Sequence, residues 1–361
     1  MKIKLIACSI GLFLGTTITA QTMDFEGYNP PSTLVVPEHP ITRSKFPFID
    51  IHSHQRRMGE QDLNALAAEM DGINMGLMVN LSGGSGKSIA DASTNIKANQ
   101  PKRFIVFANV NFINVGEEGW GERAAAQLER DYNQGARGLK IFKSLGFSVK
   151  DIDGNRVAVD DPRLDPIWAK CGELGIPVLI HTADPKQFWA PFDAENERWL
   201  ELKTHPNRKR EDDNPVPWET LIQEQHNVFK KHKNTQFIAA HLGWYGNDLA
   251  HLGKLLDEMP NMNVEIGAVI AELGRQPRMA NSFLTKYQDR VLFGKDAYNP
   301  EEYATYFRVL ETNDEYFPYY KKYHAYWKMY GLGLSDEVLK KIYYKNAIRL
   351  VPGIDASAFP K

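Results

Sequence analysis

The sequence is short of cysteine, short of net charge and without a long apolar run in its body. Each lack removes a class of protein. Only two cysteines occur among 361 residues, Cys8 and Cys171. Cys8 falls in an N-terminal leader, so the remaining chain can form no internal disulfide, and its fold must rest on buried apolar surface. Cys171 sits at helical spacing in "IWAKCGELG", which reads as a core position rather than a nucleophile. The formal net charge is -2, which gives no electrostatic case for nucleic acid or an anionic membrane as partner. No segment after the leader is long and apolar enough to span a bilayer. The "GGSGKS" at residues 83–88 fails as a phosphate loop, because Leu81 stands where that motif needs its first glycine. It reads as a flexible loop opening a helix.

What is present begins with that leader. Lys2 and Lys4 precede the apolar stretch Leu5 to Leu14, and Ala20 offers a small residue for cleavage. Residues 1–20 read as a signal peptide, so the chain is expected to be exported, periplasmic or secreted. Residues 21–45 contain the Pro-rich "YNPPSTLVVPEHP" and read as an extended arm. Residues 46–361 read as one domain. Within it, apolar β-type runs such as "FIDIHSH", "IPVLIHT", "TQFIAAHLG" and "VLFGKDA" alternate with segments of helical periodicity. Such alternation implies parallel strands with right-handed crossovers. Eight units of this kind predict a (β/α)8 TIM barrel, with an open doubly wound sheet as the alternative. Two insertions break the rhythm, residues 184–217 after strand five and the aromatic "NDEYFPYYKKYHAYWKMYGLG" at 313–333. Ser335 opens an added C-terminal helix that runs to Pro352.

The polar residues that follow the apolar runs form a pattern. By alternation, Ile49 and Ile51 face the helices, which turns Asp50, His52 and His54 inward. His181 follows "PVLI", His241 follows "FIAA", and Asp296 follows "LFGK". In a barrel these positions share the mouth at the carboxyl ends of the strands, where reactive groups collect. Imidazoles and a carboxylate converging there suit a borderline cation such as zinc (Zn2+). Lys140 points inward by the same parity. It reads equally as a carboxylated bridge between two ions, a cation for a substrate carboxylate, or an ion-pair partner of inward Glu265.

The H-x-H closing the first strand, the single histidines after strands five and six, and the late aspartate resemble the amidohydrolase superfamily. "FIAAHLGW" and "LKKIYYKNAIRLV" are similar to its amidohydrolase-2 branch, the one typified by aminocarboxymuconate-semialdehyde decarboxylase. The resemblance covers residues 46–352. It implies His52, His54, His181 and Asp296 as ligands of one divalent ion, with a second ion only if Lys140 is carboxylated. It implies His241 as the residue that polarises substrate or helps activate water, and Asp296 as the proton carrier. The expected reaction is hydrolysis of a small amide, lactone or ester; non-oxidative decarboxylation of an unsaturated or aromatic acid is the alternative. The branch leaves homodimerisation open. The insertion after His181 reads as a lid, with Trp189 as an apolar wall. Arg275, in "ELGRQPRM", reads either as a grip on a substrate carboxylate or as a cap on an acidic neighbour.

Overall fold

The computed structural model describes residues 23–210, 216–321, 323 and 327–360. The expected signal peptide therefore lies outside the described residues, as do parts of both insertions. Two compact units divide at Ser32. The first contains a single 3-10 turn, Phe25–Gly27. The second carries the domain.

In that unit, strands and helices alternate in the order expected from the sequence. β1 (Phe48–Ser53) leads to α1 (Leu63–Gly72), β2 (Met75–Asn80) to α2 (Lys87–Asn99), and β3 (Phe104–Val106 with Ala108–Asn109) to α3 (Trp120–Gln134). β4 (Leu139–Ile141) precedes α4 (Asp165–Leu174), and β5 (Val178–Ile180) precedes α5 (Trp218–Lys231). β6 (Phe237–Ala239), α6 (Leu249–Glu258), β7 (Met262–Glu265), α7 (Pro277–Lys286), β8 (Val291–Leu292) and α8 (Tyr303–Glu311) complete the series. Punctuation is where the residues place it. Asp62 accepts N–H bonds from Asn64 and Ala65 to start α1, and Gly175 ends α4 at φ 64°.

All pairings within this series of strands are parallel, and the short pair Phe317–Pro318 and Lys328–Met329 in the second insertion is antiparallel. β3 is in two segments, Phe104–Val106 bonded to β2 and Ala108–Asn109 bonded to β4. The break falls at Phe107, whose ring crosses over Gly138; a Cβ on that glycine would lie 2.3 Å from it. The ring of strands is then joined through backbone bonds between its ends. Ile51 N–H donates to Phe293 O at 3.0 Å, and Asp296 N–H donates to His52 O at 2.7 Å. The second of these bonds also sets Asp296 directly beside the H-x-H of β1.

The core lines both sides of the strands. At the lower end Phe48 packs against Phe293 (4.7 Å between centroids) and Phe307 (5.3 Å). The C-terminal helix is not continuous. It runs from Asp336 to Lys340, widens into a π turn at Lys341–Lys345, and resumes at Asn346–Leu350. The widened turn lends the Ile342 carbonyl to Phe293 N–H at 2.9 Å, so the helix gives up regularity to bind the end of β8. The insertion after β5 contains a short helix, Trp199–Thr204. No helix of the described residues is long and apolar enough to cross a membrane.

Cys171 is fully buried on α4, and burial pushes its thiol well up. We expect no labelling of Cys171 by a thiol reagent in the native protein and full labelling in denaturant, read by peptide mass spectrometry. Rapid native labelling would show this reading of α4 to be wrong.

Candidate metal centre

β1 and the residue that follows it supply two histidines, His52 and His54, two residues apart, so both rings reach the same mouth. The His52 and His54 ring centroids lie 5.2 Å apart. Asp296, at φ 82° just beyond β8, presents Oδ1 to both: 3.4 Å to His52 Nε2 and 3.5 Å to His54 Nε2. Two donors bound at about 2.1 Å to one tetrahedral ion stand about 3.4 Å apart. Asp296 therefore already holds, to each histidine, the spacing that a shared cation requires. Among the described residues the three side chains form one of two His/carboxylate groups with ligand atoms within 4.8 Å of each other; the second is His52, His241 and Glu265.

The other ring nitrogens are spoken for. His54 Nδ1 meets Ser82 Oγ at 2.8 Å. His52 Nδ1 faces Glu265 Oε1 at 3.0 Å. His241 Nδ1 faces the Gly267 carbonyl at 2.7 Å. A carbonyl can only accept, so His241 carries a proton on Nδ1, which leaves Nε2 as the nitrogen available to the cavity. His241 Nε2 and His181 Nε2 are both buried with no hydrogen-bond partner among the described residues. The two rings are 4.5 Å apart, edge to face. Unpartnered buried nitrogens are costly, and a cation or substrate would satisfy them.

The electrostatics keep these groups in ligand form. Burial and the nearby Lys140 ammonium lower His54 to about 4 and His52 well below its usual value. Burial and His241 do the same to His181. Burial pushes Asp296 upward, but His52, His241, His54 and Lys140 outweigh it and hold the carboxyl at about 2. At neutral pH the site thus offers unprotonated imidazoles and a carboxylate, the state a divalent ion needs. Lys140, buried on β4, is brought down to about 8 by burial against the pull of Asp296 and Glu265.

The residues singled out from sequence fall into three sets. His52, His54 and Asp296 converge. His181 and His241 adjoin them and, with Asp296, Trp244 and Phe188, line a cavity of about 160 Å³. Lys140 is at the centre, but its closest polar contact is His52 Nε2 at 3.4 Å; Glu265, one expected partner, is bonded to His52 and His241 instead. Trp189 and Arg275 do not line the cavity. Trp189 donates to Val216 O and stacks on Phe147. Arg275 pairs with Glu197 at 3.0 Å and lies 3.6 Å over the Trp327 ring. Both pack within the insertions, as the apolar and acidic neighbours there demand. Asp50, also read as inward, stays behind the cluster and accepts from Tyr303 OH at 2.6 Å. Sequence reading did not single out Ser82, Trp244 or the histidine bonds of Glu265. Strand parity marked Glu265 as inward, but nothing in "NVEIG" names its partners.

Comparison with known proteins agrees with this geometry. An amidohydrolase family model, that of the amidohydrolase-2 branch, matches residues 84–353. The match begins after the H-x-H of β1 and takes in His181, His241, Glu265 and Asp296. A search of curated proteins by sequence finds no match. Among solved structures, an uncharacterised TIM-barrel protein of Bordetella bronchiseptica has a TM-score of 0.53 and 18% identity, over 84% of this chain and 98% of its own. A dihydroxybenzoic acid decarboxylase of Polaromonas, solved with manganese and 2-nitroresorcinol, has a TM-score of 0.51 and 16% identity, over 84% and 96%. A 4-oxalomesaconate hydratase of Rhodopseudomonas palustris has a TM-score of 0.51 and 16% identity, over 86% and 97%. At such identities these likenesses speak to the barrel fold. The fold, the match over most of the chain and the clustered ligand atoms place this chain in the amidohydrolase family, in its amidohydrolase-2 branch, as an enzyme that works with a divalent metal.

Proposed function

We propose that the protein is an exported hydrolase of a small carbonyl compound, an amide, lactone or ester, working with one zinc ion. Export rests on the leader read in residues 1–20. His52, His54 and Asp296 would hold the ion, with His181 beside them. The ion's contribution is Lewis acidity, which makes water nucleophilic near neutral pH. Asp296, ionised and central, accepts the water proton and returns it to the leaving group. His241 lines the cavity with no hydrogen-bond partner for Nε2 among the described residues, and a proton on that nitrogen would make the oxyanion contact expected of it. The Asp296 carboxylate facing two imidazole nitrogens at the edge of one small cavity is the observation that carries the hydrolytic reading, since water must lose a proton and the leaving group must gain one.

A second reading has its own support. Lys143, Arg208 and Lys321 also line the cavity, the first two paired with Asp184 and Glu201, and cations at that position suit a carboxylate substrate, as decarboxylation would need. The two are separated by metal analysis of purified protein, then assays of the reloaded enzyme on esters, lactones, amides and unsaturated carboxylic acids with CO2 monitored. Hydrolysis without CO2 is expected. CO2 release from an acid, with no hydrolysis of any ester, lactone or amide, would replace the first reading with the second.

A further inference from the structure

Glu265 is the last residue of β7 and is completely buried. Three N–H groups converge on it. Its Oε1 accepts from His52 Nδ1 at 3.0 Å and from the His241 backbone N–H at 2.7 Å. Its Oε2 accepts from Gly267 N–H at 2.5 Å. A carboxylate has acceptor sites for all three donors. A carboxamide does not, because its NH2 end would face an N–H.

The backbone around His241 shows why such a clamp is needed. His241, Leu242, Gly243 and Trp244 have φ of 59°, 55°, 59° and 62°. Three of these residues carry a Cβ, and left-handed backbone is unfavourable for them. A run of this kind persists only where its surroundings hold it. Here the run is pinned on both sides of His241, by Glu265 on its backbone N–H and by the Gly267 carbonyl on its ring. β8 leaves room for the carboxylate: a Cβ on Gly294 would lie 2.4 Å from Glu265 Oε2 and 3.0 Å from His52 Cβ.

We infer that Glu265 is a positioning residue that fixes the Nδ1–H tautomer of His52 and, through the same oxygen, holds the left-handed turn that delivers His241. Both effects leave Nε2, rather than Nδ1, of each ring to face the centre. Glu265 is not itself a ligand in this arrangement, since its oxygens are taken by the three donors. The inference rests on the metal reading above, and it goes beyond it by making one carboxylate responsible for two separate histidines.

The probe is Co2+, titrated in competition with a chromophoric chelator and followed by visible absorption. Glu265→Gln and Gly294→Ala, the latter crowding the carboxylate at 2.4 Å more closely than His52 Cβ at 3.0 Å, should each bind Co2+ about 10–100-fold more weakly than wild type. Their absorption bands should shift while far-UV circular dichroism stays native. A folded Glu265→Gln protein with wild-type affinity and spectrum overturns the inference. Should neither variant fold, ring-nitrogen NMR of histidine-labelled wild type decides it. His52 protonated at Nδ1 is expected, and protonation at Nε2 refutes the proposal. If His54→Ala binds Co2+ as wild type does, the metal reading itself fails, while the NMR result still judges Glu265.

Discussion

Asp296→Asn should lower kcat by about 100- to 10,000-fold and leave the fold intact. Asparagine is nearly isosteric and is among the residues that tolerate the positive φ found here. The backbone bond from residue 296 to His52 O does not depend on the side chain. What disappears is the charge. The carboxylate stands 3.4 Å and 3.5 Å from two imidazole nitrogens, and it is the ionised group placed to take a proton from water. Its neutral amide can neither accept that proton nor match the ion's charge. The check is kcat on whichever substrate the panel identifies, with metal content and circular dichroism measured on the same sample. Wild-type turnover in a folded, metal-loaded variant would remove Asp296 from the mechanism.

Arg198→Ala should cost about 3–5 kcal/mol of stability, the largest effect expected outside the centre. Arg198 belongs to the insertion after β5, yet its side chain is 7% exposed. It reaches Glu201 at 2.7 Å and bonds Glu272, which follows β7. Its guanidinium also lies 5.3 Å from the Trp327 ring. Burial alone would lower the pKa of Arg198, but Glu272 and Glu201 raise it. The alanine variant strands Glu272 in a dry site without a cation, whereas Glu201 keeps Arg208 at 2.6 Å. Removing that stranded charge as well, in Arg198→Ala/Glu272→Gln, should recover a large part of the loss. Urea denaturation of the three proteins measures both effects. An unchanged midpoint in Arg198→Ala would mean that this network does not fasten the insertion to the barrel.

Local patterns carried most of the barrel. Alternation in "FIDIHSH" and apolar runs such as "PVLI" and "FIAA" place His52, His54, His181 and His241 after parallel strands, because strand parity and strand ends are local properties. The late aspartate was legible for the same reason. Features that depend on contacts between distant segments were not. Glu265 is inward by parity, but its choice of His52 and His241 over Lys140 follows from how β7 sits between β6 and β8. The left-handed turn at His241–Trp244 has one glycine and three residues that disfavour it, so local preference argues against it. Arg275, read as either a substrate grip or a cap on an acidic neighbour, pairs with acidic Glu197 and lies over Trp327, and Trp189, read as a cavity wall, packs on Phe147 instead. The π turn at Lys341–Lys345 is hidden likewise, since it answers to Phe293 N–H rather than to its own sequence.

Anomalous diffraction from a crystal of the zinc-loaded protein is the direct test of whether distant histidines and a late carboxylate share one cation. The expected result is a single peak at the mouth of the strands, about 2.0–2.2 Å from His52 Nε2, His54 Nε2 and an Asp296 oxygen. A peak bound elsewhere, or none near these three side chains in active protein, would contradict the account.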